Sequence, residues 1–335
     1  MRTTFVGASI ALLGFVVAWR ATEASEEIPC CMIIDDGAPF FNMRWVKDKT
    51  VCKEIPTSFY QEFAEWAAEK GVKGKFSIIP CLGGIKPIDG SLGEYPGHSR
   101  EERLAWIRMI NTQYAPRFTL TPEVITHWYP WDVKAKSLQL GPPTENTWLA
   151  GQTLDVQTAY ITEAMQMLTR AGIEVGGLTM CWSYPKDKNH VLGEAALRAA
   201  REVCELDYVV LFNDTGVKPG VIYRGDGGAM VVSLRPGVGD VYDHTFGKKT
   251  DVDVQQDADR YITADGTAGR FIDQIQEGGC LIFYTHMQTL YGNGTKSGLK
   301  VFQIAVERLE KRYGDRIQWM TGCEIAQHFC PPAKQ

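Results

Sequence analysis

The stretch Cys30-Cys31-Met32-Ile33-Ile34-Asp35-Asp36-Gly37 decides how the rest of the chain is read. A short apolar run ends abruptly in two adjacent carboxylates and a glycine. A run of this length, holding Ile33 and Ile34, reads as a buried parallel strand. Side chains alternate along a strand, so Asp35 and Asp36 point to opposite sides unless the chain has already begun to turn. Gly37 permits that turn. Two like charges so close need a counter-charge, such as a metal ion or an arginine; otherwise one of them has a raised pKa. Taken alone, the triplet is better explained by Asx-type turn chemistry. The downstream chain changes that balance.

Outward from this strand the pattern alternates. Phe59, Phe63, Trp66 and Ala67 mark a helix from Thr57 that Gly71 stops. Lys75-Phe76-Ser77-Ile78-Ile79-Pro80 is a second strand. Ser99 to Glu102 has the form of a capping box ahead of a helix carrying Leu104, Ile107, Met109 and Ile110. A third strand is expected over Val124-Ile125-Thr126-His127. A helix over Thr153 to Ala171 and a strand over Gly176 to Trp182 follow, then a helix over Leu192 to Glu205. Strands are expected over Tyr208 to Asn213 and Ala229 to Leu234. A polar loop from Arg235 to Asp259 carries Asp240, Asp243 and His244. After it come a helix over Arg260 to Glu277, a strand over Cys280 to His286, a helix over Leu299 to Tyr313 and a small closing strand at Ile317 to Met320.

Strands alternating with helices predict an α/β fold with a parallel sheet. No Gly-x-Gly-x-x-Gly follows the first strand, so the dinucleotide-binding fingerprint is missing. The long loops follow strands and the short ones follow helices. That asymmetry fits a β/α barrel with its chemistry at the C-terminal ends of the strands. Three expected strand ends carry polar chemistry: Asp35 with Asp36, His127, and His286.

Composition sets the class. The 335 residues carry a net charge of −5 and 11% aromatic residues, nine of them Trp. This argues against a nucleic-acid binder, which would show a basic footprint. Arg2, the apolar run Phe5 to Trp19 and the small residues Ala21 to Ser25 have the order of a secretory signal, with cleavage after Ala24. The other reading of this segment is a membrane anchor, for which the run is somewhat short. Both place the remainder outside the cytoplasm, secreted or periplasmic, with no further stretch able to span a bilayer. One domain over 28–330 accommodates the rest. The nine cysteines show no Cys-x-x-Cys pair and most lie in apolar patterns.

The Asp35-Asp36-Gly37 strand end resembles the first motif of the polysaccharide deacetylase-like (NodB-homology) family, whose members are distorted (β/α)7 barrels. Lys75 to Pro80, Ile125-Thr126-His127, Leu281 to His286 and the C-terminal Tyr313-Gly314-Asp315 are similar to further segments of that family. The resemblance implies metal-assisted hydrolysis of an N- or O-acetyl group on a carbohydrate. Asp35 would be the general base and His286 the general acid. Asp36 and His127 would hold a divalent metal, Zn²⁺ in the simplest case.

Two departures stand out. Trp131 occupies the place of the family's second metal histidine, and Asp132 is the nearest substitute ligand. Cys181-Trp182-Ser183-Tyr184-Pro185 stands where the family has an arginine-proline motif, without the arginine. Two other readings therefore remain: a C–N hydrolase of small amides with a changed metal site, and a carbohydrate-binding relative without activity. Trp131, Trp182, Tyr184 and His244 are the candidate substrate contacts. The aromatic residues among them either stack on sugar rings or pin down long loops.

Overall fold

The computed structural model describes residues 26–40, 54–141, 143–181, 184–240 and 250–332. The leader segment, Cys52, Trp182, Asp243 and His244 lie outside the described residues. In chain order the elements are β1 (Ile28–Gly37), α1 (Thr57–Glu69), β2 (Gly74–Ile78), α2 (Arg100–Met109), β3 (Phe118–Pro122), β4 (Trp131–Asp132), β5 (Ser137–Leu138), α3 (Glu145–Ala150) and α4 (Leu154–Arg170). These are followed by β6 (Gly177–Thr179), α5 (Asn189–Cys204), β7 (Tyr208–Phe212), β8 (Gly220–Arg224), β9 (Met230–Ser233), α6 (Asp251–Tyr261) and α7 (Arg270–Gly278). The chain continues with β10 (Leu281–His286), α8 (Met287–Tyr291), α9 (Ser297–Tyr313), β11 (Ile317–Trp319) and α10 (Gly322–Phe329).

The fold is α/β with a mixed parallel and antiparallel sheet core. One sheet runs β10–β1–β2–β3, all parallel, with β11 also pairing to the start of β1. The second runs β6–β7–β9 in parallel, with β8 antiparallel at its edge. Single parallel bridges, Glu123 to Thr179 and Val238 to Phe283, tie the two sheets at both margins.

Alternation along β1 divides the core. Cys30, Met32 and Ile34 belong to the large apolar cluster that includes the helix residues Phe59, Phe63, Phe302 and Leu309. Cys31 and Ile33 belong to a smaller cluster with Val210, Phe212, Val232 and Ile282, to which α10 adds Ile325 and Ala326. Both faces of β1 are therefore buried, which is why it reads as an unbroken apolar run.

The capping box at α2 forms as expected. The Ser99 hydroxyl accepts from Glu102 N at 3.2 Å, and the Glu102 carboxylate accepts from Ser99 N at 2.7 Å.

Three expectations need correction. The third strand is Phe118–Pro122, not Val124–His127. Val124 and His127 have φ of 38° and 63°, and such left-handed conformations exclude them from a ladder. Of the helix expected over 260–277 only the second half forms, as α7 after Gly269 at φ 115°, while α6 lies almost wholly in the stretch expected to be a polar loop. The antiparallel β8 was not expected; its apolar run Val221-Ile222-Tyr223 is short and only partly buried. Among the described residues, no helix is long and apolar enough to cross a membrane.

Candidate active site

Parallel pairing brings strand ends into register. Asp35 lies opposite His286 across the β1–β10 ladder, and Gly37 lies opposite Ile78, itself opposite Pro122. Glu123 leaves β3 one residue later. The C-terminal edge of the first sheet thus gathers Asp35, Asp36, Ser77, Glu123 and His286.

A local break in β1 resolves the problem of two neighbouring aspartates. The β1–β2 register shifts between Ile34 and Gly37, and Asp36 sits at φ 63°. Such a bulge re-aims a side chain that regular alternation would turn away. Gly37 makes it sterically feasible, since a Cβ there would lie 2.3 Å from the Phe76 ring and 2.5 Å from the Ser77 carbonyl oxygen.

Asp36, Glu123 and His127 form a cluster whose ligand atoms all lie within 4.8 Å of one another. His127 Nε2 is 2.9 Å from Asp36 Oδ1 and 3.1 Å from Glu123 Oε1. The other oxygen of each carboxylate is already engaged. Gln288 Nε2 donates to Asp36 Oδ2. Glu123 Oε2 accepts from Asp36 N at 3.0 Å and from Ser77 Oγ at 2.6 Å. Asp36 Oδ1 is buried and, apart from His127 Nε2, meets no hydrogen-bond donor among the described residues. One nitrogen and two oxygens converging at these distances fit a divalent cation, either Zn²⁺ or a harder ion.

Electrostatics describe the same centre. Burial disfavours the charged forms of both Asp36 and His127. Their mutual attraction, reinforced on the imidazole by Glu123, outweighs that penalty. Asp36 is held well below the usual carboxylate range and His127 well above its ordinary value. In the metal-free protein an imidazolium therefore supplies the positive charge that two carboxylates demand.

Asp35 has a different environment. Its Oδ1 accepts from the fully buried Lys75 Nζ at 2.7 Å and from Ser77 Oγ at 3.0 Å. Burial raises its pKa, Lys75 opposes the rise, Glu123 adds to it, and the result is about 6. The two aspartates thus titrate far apart, the pattern that separates a proton acceptor from a permanent anion.

His286 Nδ1 lies 2.6 Å from Asp240 Oδ2. Burial works against the imidazolium. The hydrogen bond and charge of Asp240, with Asp36 and Asp35 nearby, overcome this and push the pKa up to about 10. A cavity of about 620 Å³ opens onto Asp35, Glu123, His127 and His286. Its remaining wall includes Met180, Tyr184, Phe212, Asn213, Asp214 and Tyr284. This volume falls in the range of small-molecule sites, roughly 300–1,000 Å³.

No family model and no curated protein matches this chain. Solved structures resemble it distantly. One is a mutant of a CE4-family pseudoenzyme with restored enzymatic activity, at 8% identity and a TM-score of 0.38. The match covers 86% of this chain, which spans 64% of the length of that one. Another is a proposed cellobiose-phosphate cleavage protein from Enterococcus faecalis, at 12% identity and a TM-score of 0.45, covering 89% of this chain and 98% of the other.

The structure brings Asp35, Asp36, His127 and His286 together and leaves other candidates apart. Asp132 is not in the cluster. Its Oδ1 accepts from Lys134 N at 2.9 Å and Ala135 N at 2.8 Å, forming the β4–β5 turn, and Glu123 occupies the position expected of it. Trp131 is 2% exposed in the large core and does not reach the cavity, so it offers no stacking surface. Tyr184 does line the cavity, while its hydroxyl donates to Gln157 Oε1 at 3.0 Å. Sequence reading did not single out Glu123, Lys75, Ser77, Asp240 or Gln288 as site residues. Lys75 and Ser77 gave a signal in retrospect: polar residues two apart on a strand whose every residue is buried.

Proposed function

We propose that this chain is a metal-dependent hydrolase of the polysaccharide-deacetylase type, removing an acyl group from nitrogen or oxygen of a carbohydrate outside the cytoplasm. The observation that carries this reading is the Asp36–Glu123–His127 cluster, of which Glu123 and His127 line one cavity together with Asp35 and His286. The same reading makes residues 28–330 one domain, a distorted (β/α)7 barrel. Its support is the set of seven parallel strands β1, β2, β3, β6, β7, β9 and β10, with bridges at both margins between the sheets.

A divalent ion at Asp36 Oδ1, Glu123 Oε1 and His127 Nε2 would polarise the acyl oxygen and acidify a water. The chain's own residues do the rest. Asp35 has Oδ1 occupied by Lys75 and Ser77, so Oδ2 receives the proton of the attacking water. The Lys75 charge keeps that carboxylate ionised near neutral pH against the pull of burial. His286 is fixed through Nδ1 by Asp240, which leaves Nε2 to protonate the departing nitrogen or oxygen. Tyr184, Phe212 and Tyr284 give the cavity aromatic faces for a sugar ring.

The test is metal analysis of the purified protein by mass spectrometry, together with acetate release from N-acetylglucosamine oligomers and acetylated xylan before and after chelation. The reading expects about one equivalent of metal, acetate release, and loss of release on chelation with recovery on adding Zn²⁺ or Mn²⁺. A wild-type protein that takes up no metal overturns it.

A further inference from the structure

His127 sits in a loop, not on a strand, yet its imidazole must hold a fixed position between two carboxylates. One buried side chain accounts for this. Glu145, the first residue of α3, is fully buried. Its Oε1 accepts from Ile125 N at 2.9 Å and Thr126 N at 3.0 Å. Its Oε2 accepts from Thr126 N at 3.2 Å and His127 N at 2.7 Å. Tyr160 OH donates to Oε1 at 2.5 Å, and Cys181 Sγ lies 3.8 Å from Oε2. Three consecutive backbone N–H groups therefore converge on a single carboxylate.

Successive N–H groups beside left-handed residues form a concave anion-binding nest. Here Val124 and His127 have positive φ, at 38° and 63°. The nest of residues 125–127 is filled by the chain's own Glu145 and not by a ligand. Glu145 does not line the cavity and is not among the three clustered ligands. Among the described residues its carboxylate bonds the backbone of residues 125–127, Tyr160 and Cys181, and its own N–H donates to the Trp128 carbonyl at 3.0 Å. Tyr160 extends the support, because its hydroxyl also accepts from Trp131 N at 3.0 Å.

We infer that Glu145 is the positioning residue of the metal centre: its carboxylate holds the left-handed loop that aims His127 Nε2 at Asp36 and Glu123. This rests on the metal-site reading above. A carboxylate is required and an amide is not equivalent. Four nitrogen and oxygen donors, three N–H groups and one O–H, use both oxygens, and the Cys181 thiol adds a weaker fifth contact. A glutamine would turn an N–H against at least one of them, leaving a buried donor unpaired.

The experiment is isothermal titration of the metal-free full chain with Zn²⁺ and Co²⁺, with the visible spectrum of the Co²⁺ form as a second readout. Wild type, Glu145→Gln, Tyr160→Phe and His127→Ala are compared. Val306→Ala, a core change in α9, controls for stability loss alone. Groups that orient metal ligands typically change affinity by about 10–100-fold. Glu145→Gln is expected to weaken metal binding in that range and to alter the Co²⁺ bands. Tyr160→Phe, which removes one of four donors, should weaken binding less, and it decides the matter if Glu145→Gln fails to fold. Val306→Ala should leave affinity and spectrum unchanged. Wild-type affinity and spectrum in both the Glu145 and Tyr160 variants overturn the inference while the metal site stands. An equal loss in Val306→Ala overturns it as well. Absence of binding in wild type overturns the metal site, and this inference with it.

Discussion

The two sheets meet the same cavity with different groups. The β10–β1–β2–β3 sheet ends in Asp35, Asp36, Ser77, Glu123 and His286, whose charges are coupled to one another and to Lys75 and His127. The β6–β7–β9 sheet and its loops present Met180, Phe212, Asn213 and Asp214. Their polar atoms are already engaged. Asp214 accepts from Ser233 Oγ and from Arg235 Nε, the latter at 3.1 Å, and Asn213 bonds Asn189 and Tyr184 N. The first sheet holds groups whose protonation and ligation can change; the second offers a shaped wall whose bonds are satisfied. Under the proposed function, the acid–base and metal groups belong to the first sheet, while the second sheet supplies most of the remaining wall, joined by Tyr284 of β10.

Substitutions can break that division. The largest effect is expected from Asp36→Ala, which removes a ligand and the charge opposite His127. Metal should be absent from the purified variant by mass spectrometry and acetate release lost, whereas Asp214→Asn should keep its metal. If both variants lose it alike, the division fails. His286→Gln should lower kcat by about 10²–10⁴-fold, the usual worth of a general acid, with little change in KM; steady-state kinetics on one acetylated substrate reads both.

Lys75→Met tests the first sheet's internal pairing. It strands the buried Asp35 without its counter-charge, and breaking a buried pair costs about 3–5 kcal/mol. Urea denaturation should show that loss, and adding Asp35→Asn should recover most of it. A single variant as stable as wild type would remove the pair from the account.

The pH dependence follows from the directions of the shifts. His286 is raised from 6.5 to about 10 in the fold, so its contribution to stability is complete below about pH 6.5 and is lost as pH rises through about 10. Asp35 is raised from 3.8 to about 6, so the fold favours its protonated form. That contribution is present below about pH 4 and lost as pH rises through about 6. The metal-free protein should melt at progressively lower temperature from pH 6.5 to 10, less steeply in His286→Gln. Equal slopes would dissociate His286 from the effect. The smallest change belongs to the second sheet: Phe212→Leu should raise KM by about tenfold or less and leave kcat nearly unaltered.

Legibility followed residue type and not this division. β1, β7, β9 and β10 are buried and mostly apolar, so their existence could be read from residue type, and with it the polar tips at Asp35, Asp36 and His286. The third strand was placed too late because Val124-Ile125 looks more strand-like than Phe118-Thr119-Leu120-Thr121-Pro122. That misplacement hid Glu123, which follows the true strand directly. Choosing Asp132 as a ligand had a related cause. Spacing along the chain says nothing about the turn that Asp132 closes with Lys134 N and Ala135 N. The Lys75–Asp35 pair joins neighbouring strands that lie 40 residues apart in sequence. Only pairing register, which no local pattern encodes, brings them together.

The left-handed backbone at Asp36 also constrains how this site can evolve. Among non-glycine residues, few besides aspartate and asparagine adopt that conformation readily. Asparagine would keep the bulge, the approach of Gly37 to Phe76 and the shape of the strand end while removing the charge. If the proposed activity holds, an inert variant with an intact fold is therefore one conservative replacement away, and residue 36 is the first position to inspect for it.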